Sequence, residues 1–289
     1  MGKHAQRKLD KQSEPGLSAT QAERADRHHL YQEAVQAAET EVDFMIDTYR
    51  SLRGREPLVL REDFCGTALL AAQWCRTDPQ RTALGVDFCP ETLAWGREHN
   101  IEPAGEDVAK RLTLVEADVR TDSDIKADVT CAFNFSYCTF KTRDELRHYF
   151  ETARAGLKED GMLMLDLFGG TESYDTLKEE TKLKGQKATY IWEHASFNPI
   201  DHRMTCHIHF RFKDGSRMDK AFTYEWRLWT MPEVRELLEE AGFSKVRVYW
   251  ERFEDSDDDD EYLEGTGEYY EVTEVENQES WMSYIVAEV

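Results

Sequence analysis

The 289-residue sequence holds no apolar run long enough to span a bilayer, and its first residues, MGKHAQRKLDKQSEPG, lack the apolar core of a signal peptide. Both absences point to a soluble, cytoplasmic protein. CxxC spacing is missing as well: the six cysteines, Cys65, Cys75, Cys89, Cys131, Cys138 and Cys206, stand mostly among apolar neighbours, as reduced buried thiols do. Disulfides are therefore not expected. Basic residues are scarce, 36 against 58 acidic, and the resulting formal charge of −22 opposes recognition of a phosphate backbone. Neither nucleic acid nor a membrane is an expected partner. Part of the acidic excess is local, because the stretch 254–261 (EDSDDDDE) has seven acids in eight positions. It lacks the glycine-centred oxygen-ligand pattern of a calcium loop, so it reads as a solvated loop.

What is present is enough apolar material, 40% of the residues, for one large elaborated domain. Residues 1–25 are polar and carry Pro15 and Gly16, which predicts a disordered tail. From Asp26 to Arg50 apolar residues recur at helical spacing (Leu30, Val35, Ala38, Val42, Met45, Ile46, Tyr49), predicting a helix ahead of the sheet. Strand and helix patterns then alternate. PLVLRE, TALGVDF, LTLVEAD, ADVTCAFNF and GMLMLDLF read as strands, with TALLAAQWCR, PETLAWGREHN and TRDELRHYFETARAGL as helices among them. Parallel neighbours need crossover connections, so the alternation implies an α/β, doubly wound sheet. The helix MPEVRELLEEAG and the strands KVRVYWE and WMSYIVAEV complete it.

The rhythm breaks over Ala188 to Leu228, where two or three strand-like stretches occur. In one of them Met204, Cys206, Ile208, Phe210 and Phe212 alternate with polar residues. Period-two alternation around the turn KDGS indicates inserted antiparallel hairpins. The chain thus divides into the tail (1–25), an N-terminal helix and cofactor-binding core (26–180), an inserted β-hairpin subdomain or lid (181–229), and the C-terminal part of the sheet (230–289).

Ligands of open α/β sheets sit beyond the C-terminal strand ends, so the first strand-turn-helix, LREDFCGTALLAAQW, is the place to look. It has one glycine, Gly66, where a dinucleotide loop needs three for close approach to a pyrophosphate. S-adenosylmethionine (SAM) has no phosphate and makes other demands. The loop Phe64, Cys65, Gly66 and Thr67 can meet its carboxylate through backbone N–H groups, and Glu62 its ammonium side. Asp87, at the end of the second strand and followed by Phe88, can accept both ribose hydroxyls. Asp118, after the third strand, can take the adenine amino group, with the Val119 N–H beside it.

These stretches together resemble the class I SAM-dependent methyltransferases: REDFCGTA, ALGVDFCPETLAWG, LVEADV, ADVTCAFNFSY and GLKEDGMLMLDLF match the successive motifs. YEWRLWTMPEVRELLEEAGF looks like the later helix region of small-molecule members. The resemblance spans roughly residues 28–289 and implies a seven-stranded Rossmann-like sheet ordered 3-2-1-4-5-7-6, with the last strand antiparallel. Phe64 and Ala68 occupy the places of the outer glycines of the first motif. The resemblance implies SAM as cofactor, S-adenosylhomocysteine as product, and methyl transfer to N, O or S of a small molecule, mainly by positioning. A catalytically silent SAM-binding scaffold and a protein or RNA methyltransferase stay open as alternatives, as does a homodimer.

The fourth strand ends in Asn134-Phe135-Ser136-Tyr137, without the two prolines of family members that methylate bases or glutamine amides. Asn134 falls at the cofactor, and Tyr137 is a candidate to orient the acceptor or, equally, a packing aromatic. Further acceptor candidates are His194 and, in YEWRLW, Tyr224, Trp226 and Arg227; the last could bind an acid bidentately. A metal site among His194, His202, His207, His209 and Cys206 is not expected, because Cys206 alternates away from His207 and His209. Tyr31 of the first helix can close over the cofactor or simply pack on the sheet.

Overall fold

In the computed structural model, residues 19–183, 185, 188–253 and 265–289 are described. The acidic stretch 254–261 and most of the expected tail lie outside them. The remainder of that tail is ordered: Gln21–Arg24 forms a short helix, α1, closed by a reciprocal Thr20/Glu23 cap.

The expected single helix over Asp26–Arg50 is two helices, α2 (Arg27–Val35) and α3 (Ala38–Arg53), broken where Gln36 turns extended. The break follows from two different partners. Leu30 of α2 packs with Ile208 and Phe210 of the inserted region, whereas Val42, Met45 and Tyr49 of α3 belong to the core on one face of the main sheet. A straight helix could not serve both.

The main sheet opens with β1 (Val59–Asp63), then α4 (Leu69–Thr77), β2 (Thr82–Asp87), α5 (Pro90–Gly96), α6 (Glu106–Arg111) and β3 (Leu112–Glu116). It continues through β4 (Ala127–Ala132), α7 (Arg143–Ala155) and β5 (Leu157–Gly169). Pro90 starts α5 at its first turn, and Thr142/Glu145 close α7 by a capping box. The five strands are parallel in the order β3-β2-β1-β4-β5. Apolar side chains fill both faces, which is why β4 is buried at every position.

A second sheet is inserted after β5. It consists of β6 (Lys178–Lys182), β7 (Ala188–Phe197), β8 (Arg203–Phe212) and β9 (Arg217–Arg227), antiparallel in sequence order. Where the sequence predicts two or three strands, over Ala188 to Leu228, three of these occur, β7, β8 and β9. The fourth, β6, has the sequence KEETK and is exposed throughout, so it carries no apolar period.

The chain then returns to the main sheet with α8 (Met231–Glu240), β10 (Lys245–Phe253), β11 (Gly265–Val272) and β12 (Trp281–Glu288). β12 lies antiparallel between β5 and β10, which reproduces the expected 3-2-1-4-5-7-6 arrangement with β10 sixth and β12 seventh. The sheet has eight strands rather than seven, because β11 adds an antiparallel edge to β10.

Candidate functional site

The β1–α4 turn keeps a glycine-like path without the glycines. Phe64, Gly66 and Ala68 have φ of 57°, 52° and 54°, all left-handed. For Phe64 and Ala68 that conformation costs about 1–2 kcal/mol each, since Cβ crowds the following carbonyl. Surrounding contacts hold the turn. Cys65 N–H donates to the Val86 carbonyl at 3.0 Å, and Gly66 N–H to Asp87 Oδ2 at 2.9 Å. Asn100 Nδ2 donates to the Thr67 carbonyl at 2.8 Å, and Gln32 Nε2 of α2 to Thr67 Oγ1 at 2.8 Å. α5 packs closely here because Gly96 has no side chain: a Cβ there would lie 2.3 Å from the Thr67 oxygen.

Around this turn, at the C-terminal ends of β1, β2 and β4, lies a cavity of about 510 Å³. Of the sequence candidates, Tyr31, Glu62, Phe64, Cys65, Gly66, Thr67, Asp87, Phe88, Asn134, Tyr224 and Trp226 line it. Asp87 also accepts from Cys89 N–H through Oδ1, so its two oxygens tie the β1–α4 turn to the start of α5. Phe88 is 74% exposed, an aromatic face offered at the mouth. The Tyr31 and Tyr224 hydroxyls are hydrogen-bonded to each other, and burial pushes the Tyr31 phenol up to about 12.

Other candidates stand elsewhere. Tyr137 is fully buried, with its hydroxyl donating to the Asp166 carbonyl at 2.8 Å, so it is a packing residue rather than an acceptor contact. Arg227 reaches Glu233 at 2.8 Å and the Lys141 carbonyl at 3.2 Å and stacks over Trp229, which directs it to the start of α8. Asp118 is outside the cavity wall. Its hydrogen bonds to Arg120, at 2.6 and 2.9 Å, hold its carboxyl below the usual range. Val119 is buried, and its carbonyl accepts from Arg61 at 2.6 Å. His207 and His209 are buried on the face of β8 opposite Cys206, against Thr223 and Glu193. No group of three potential metal ligands occurs among the described residues.

Of the acids that surround the cavity, sequence reading found Glu62 and Asp87 but missed Glu41 and Asp63. Glu41 of α3 lines it, is 6% exposed, and its Oε2 has no hydrogen-bond partner; burial, reinforced by the Asp166 charge, pushes its carboxyl up to about 8. The signal was its register, four residues before Met45 and eight before Tyr49 on an apolar stripe. Burial likewise raises Glu62, although Oε2 accepts from Ala71 N–H at 2.9 Å. Asp63 is raised to about 6 by burial, against the pull of Arg61, whose Nε lies 2.7 Å away. The wall favours cations.

A second left-handed pair, Asn134 and Phe135 with φ of 56°, follows β4. Their N–H groups converge on the Asp166 carboxylate at 2.6 and 2.8 Å. Burial raises that carboxyl to about 7 despite the two donors.

Beyond Tyr31, Asn134, Tyr224 and Trp226 the cavity meets a smaller chamber of about 210 Å³, also walled by Phe135, Tyr190, Trp192 and Glu179. A third, of about 160 Å³, shares Phe135, Trp192 and Glu179 with it and ends at His194, Glu172 and Ser280. His194 therefore stands apart from the main cavity. Tyr190 and Trp192 were not among the sequence candidates, yet with His194 they occupy alternate positions of β7, a period that could have identified the whole face.

No protein-family model matches the sequence, and no curated protein matches it. Solved structures do share the fold. A SAM-dependent methyltransferase from Clostridium acetobutylicum is 16% identical over 91% of this chain and 97% of its own, with a TM-score of 0.65. An amino pentose methyltransferase from Micromonospora echinaspora, solved with SAM bound, is 16% identical over 90% and 95%, with a TM-score of 0.64. A sugar N-methyltransferase from Streptoalloteichus is 16% identical over 98% and 99%, with a TM-score of 0.59. The chain has the Rossmann-like fold of these methyltransferases.

Proposed function

We propose that the protein is a SAM-dependent methyltransferase acting on a small molecule. The observation that carries the reading is the wall of the main cavity: Glu41, Glu62, Asp63 and Asp87 gather at the strand ends, and Glu41 keeps a buried, unpartnered oxygen. Burial leaves Glu41 and Glu62 short of a positive partner, a wall that suits a ligand carrying an ammonium and a sulfonium and offers a pyrophosphate little. When bound, SAM supplies a methyl group on sulfonium sulfur, an electrophile with a good leaving group.

The residues divide the work of holding it. Asp87, fixed by the Gly66 and Cys89 N–H groups, has lone pairs left for the ribose diol. Phe88 offers its ring to the adenine. Glu62 and Glu41 meet the cationic end, and Arg27 of α2, the one arginine or lysine in the wall among the described residues, meets the carboxylate. Positioning by the walls supplies most of the catalysis, on the order of 7–11 kcal/mol for well-aligned reactants.

The inserted sheet serves as the roof. Phe222, Tyr224 and Trp226 of β9 close the cavity from above, and α2 closes its side with Tyr31 and His28. An enclosed acceptor space of this size suits a small molecule better than a polymer chain. No helix among the described residues is long and apolar enough to cross a membrane. The reading is tested by calorimetric titration with SAM and S-adenosylhomocysteine: binding of both at micromolar level is expected, and binding of neither defeats it.

A further inference from the structure

Resting on that reading, we infer that the acceptor is an organic amine bearing a hydroxyl group, recognised as its protonated ammonium in the aromatic chamber next to the main cavity. The amine gives up that proton to solvent past the exposed Glu179, and its freed lone pair then takes the methyl group as the carbon–sulfur bond breaks to leave a neutral thioether. Five ring systems that can present electron-rich faces, Tyr31, Tyr190, Trp192, Tyr224 and Trp226, line a space of about 210 Å³. Among the described residues, Glu179 is the one charged side chain in that lining, and no cation competes. A ring quadrupole attracts a cation within about 6 Å of its centroid, most strongly for Trp and Tyr, and the attraction grows when water is excluded.

The geometry matches. Tyr224 and Trp226 stack at 4.5 Å, and each has its centroid 6.0 Å from that of Trp192 across β7 and β9. The three rings thus form one continuous wall. It is assembled by the register of the inserted sheet, in which Cys206 pairs with Tyr224, Met204 with Trp226 and Ile208 with Trp192, so the rings of β7 and β9 rise on either side of β8. An anionic acceptor finds neutral donors there, the tyrosine hydroxyls, the two indole N–H groups and the Asn134 amide, but no positive charge among the described residues.

The neighbouring chamber accounts for the hydroxyl. His194 is 8% exposed and its Nδ1 has no partner, while the ring's other nitrogen is held at the Asp175 backbone. Burial lowers its pKa and so favours the neutral imidazole, in which Nδ1 is left as an acceptor in search of a donor. An unsatisfied buried acceptor is costly unless a ligand completes it. Trp192 links the two spaces, its ring 5.6 Å from that of His194.

Choline and 3,3-dimethylbutan-1-ol provide the test, since they share shape and hydroxyl and differ in charge. Both are titrated into the protein, alone and saturated with S-adenosylhomocysteine, with tryptophan fluorescence and calorimetry as readouts. Choline is expected to bind roughly ten- to thirtyfold tighter than the neutral isostere. The preference should vanish in Trp192→Leu and persist in part in Trp192→Phe, which keeps an aromatic face if the leucine variant folds poorly. Glu179→Gln, a change at an exposed residue, should weaken choline roughly threefold. His194→Phe should weaken both probes equally. Equal binding of the two, or binding of neither, overturns the amine assignment. Failure of S-adenosylhomocysteine to bind overturns the methyltransferase reading instead, and the choline preference is then read on the protein alone.

Discussion

Gln32 and Thr67 are joined side chain to side chain at 2.8 Å, so the helix that closes the cavity is tied to the turn that forms its floor. Gln32→Ala should leave stability within about 1 kcal/mol of the parent, because Asn100 still holds Thr67. α2 would open more readily, and the expected result is a several-fold faster dissociation of S-adenosylhomocysteine in stopped-flow fluorescence. Gln32→Glu, able to accept from the Thr67 hydroxyl, should restore much of the slow dissociation.

Asp87→Ala removes both the acceptor for the ribose and the partner of Gly66 and Cys89 N–H. Loss of hydrogen bonds to a charged group predicts about 1.5–3 kcal/mol weaker cofactor binding, roughly 10- to 150-fold in Kd by calorimetry. Unchanged affinity would remove Asp87 from the site.

Ala68→Gly should be neutral or stabilising by up to about 1 kcal/mol in urea denaturation, since glycine relieves the left-handed strain at φ 54°. A buried alanine in ordinary helical geometry would lose about that amount on the same change. The sign therefore distinguishes the two.

Glu41 gives the protein a pH dependence. Its folded pKa of about 8 stands above the unfolded value of 4.5, so the native state holds the extra proton in that window. The contribution of this group to stability is full below about pH 4.5 and is lost as pH rises through about 8. Glu41→Gln should flatten that decline in thermal melts of the ligand-free protein, leaving only what Asp166 and the other raised acids contribute. A cationic ligand lets Glu41 ionise, so SAM binding at pH 7 should release protons in the parent and fewer in the variant, measured by calorimetry in buffers of different ionisation enthalpy.

The parallel, doubly wound core of the main sheet was legible because its inner strands are continuous apolar runs separated by helices of clear period, whereas the strand order came from the resemblance to the methyltransferases. β6 and β11 were not, being edge strands whose polar or mixed sequences pack little. Within the site, the residues of the β1–α4 turn and Asp87 were legible because short chain segments fix them. For Tyr137 and Arg227 the alternatives stayed open in the sequence because residue type does not say which way a side chain turns. Tyr137 faces Asp166 and Phe150, and Arg227 faces α8. Asp118 was assigned by its place after β3, but Arg120, two residues on, captures its carboxylate. Glu41 went unread because an acid on an apolar stripe is easily taken for an exposed edge of the helix.

Asp166 fixes Asn134 and Phe135 with one carboxylate, and these successive residues stand at the partition, Asn134 between the main cavity and the aromatic chamber and Phe135 between the two smaller chambers. The partition between the compartments is thus built from the parallel part of the main sheet, while most rings of the aromatic chamber come from β7 and β9 of the insertion. For protein engineering this separates two design variables. Exchanging side chains on the inserted sheet can retune which molecules are admitted, while the nucleotide end and its partition keep their shape. Shifting Asp166 would disturb both ends together.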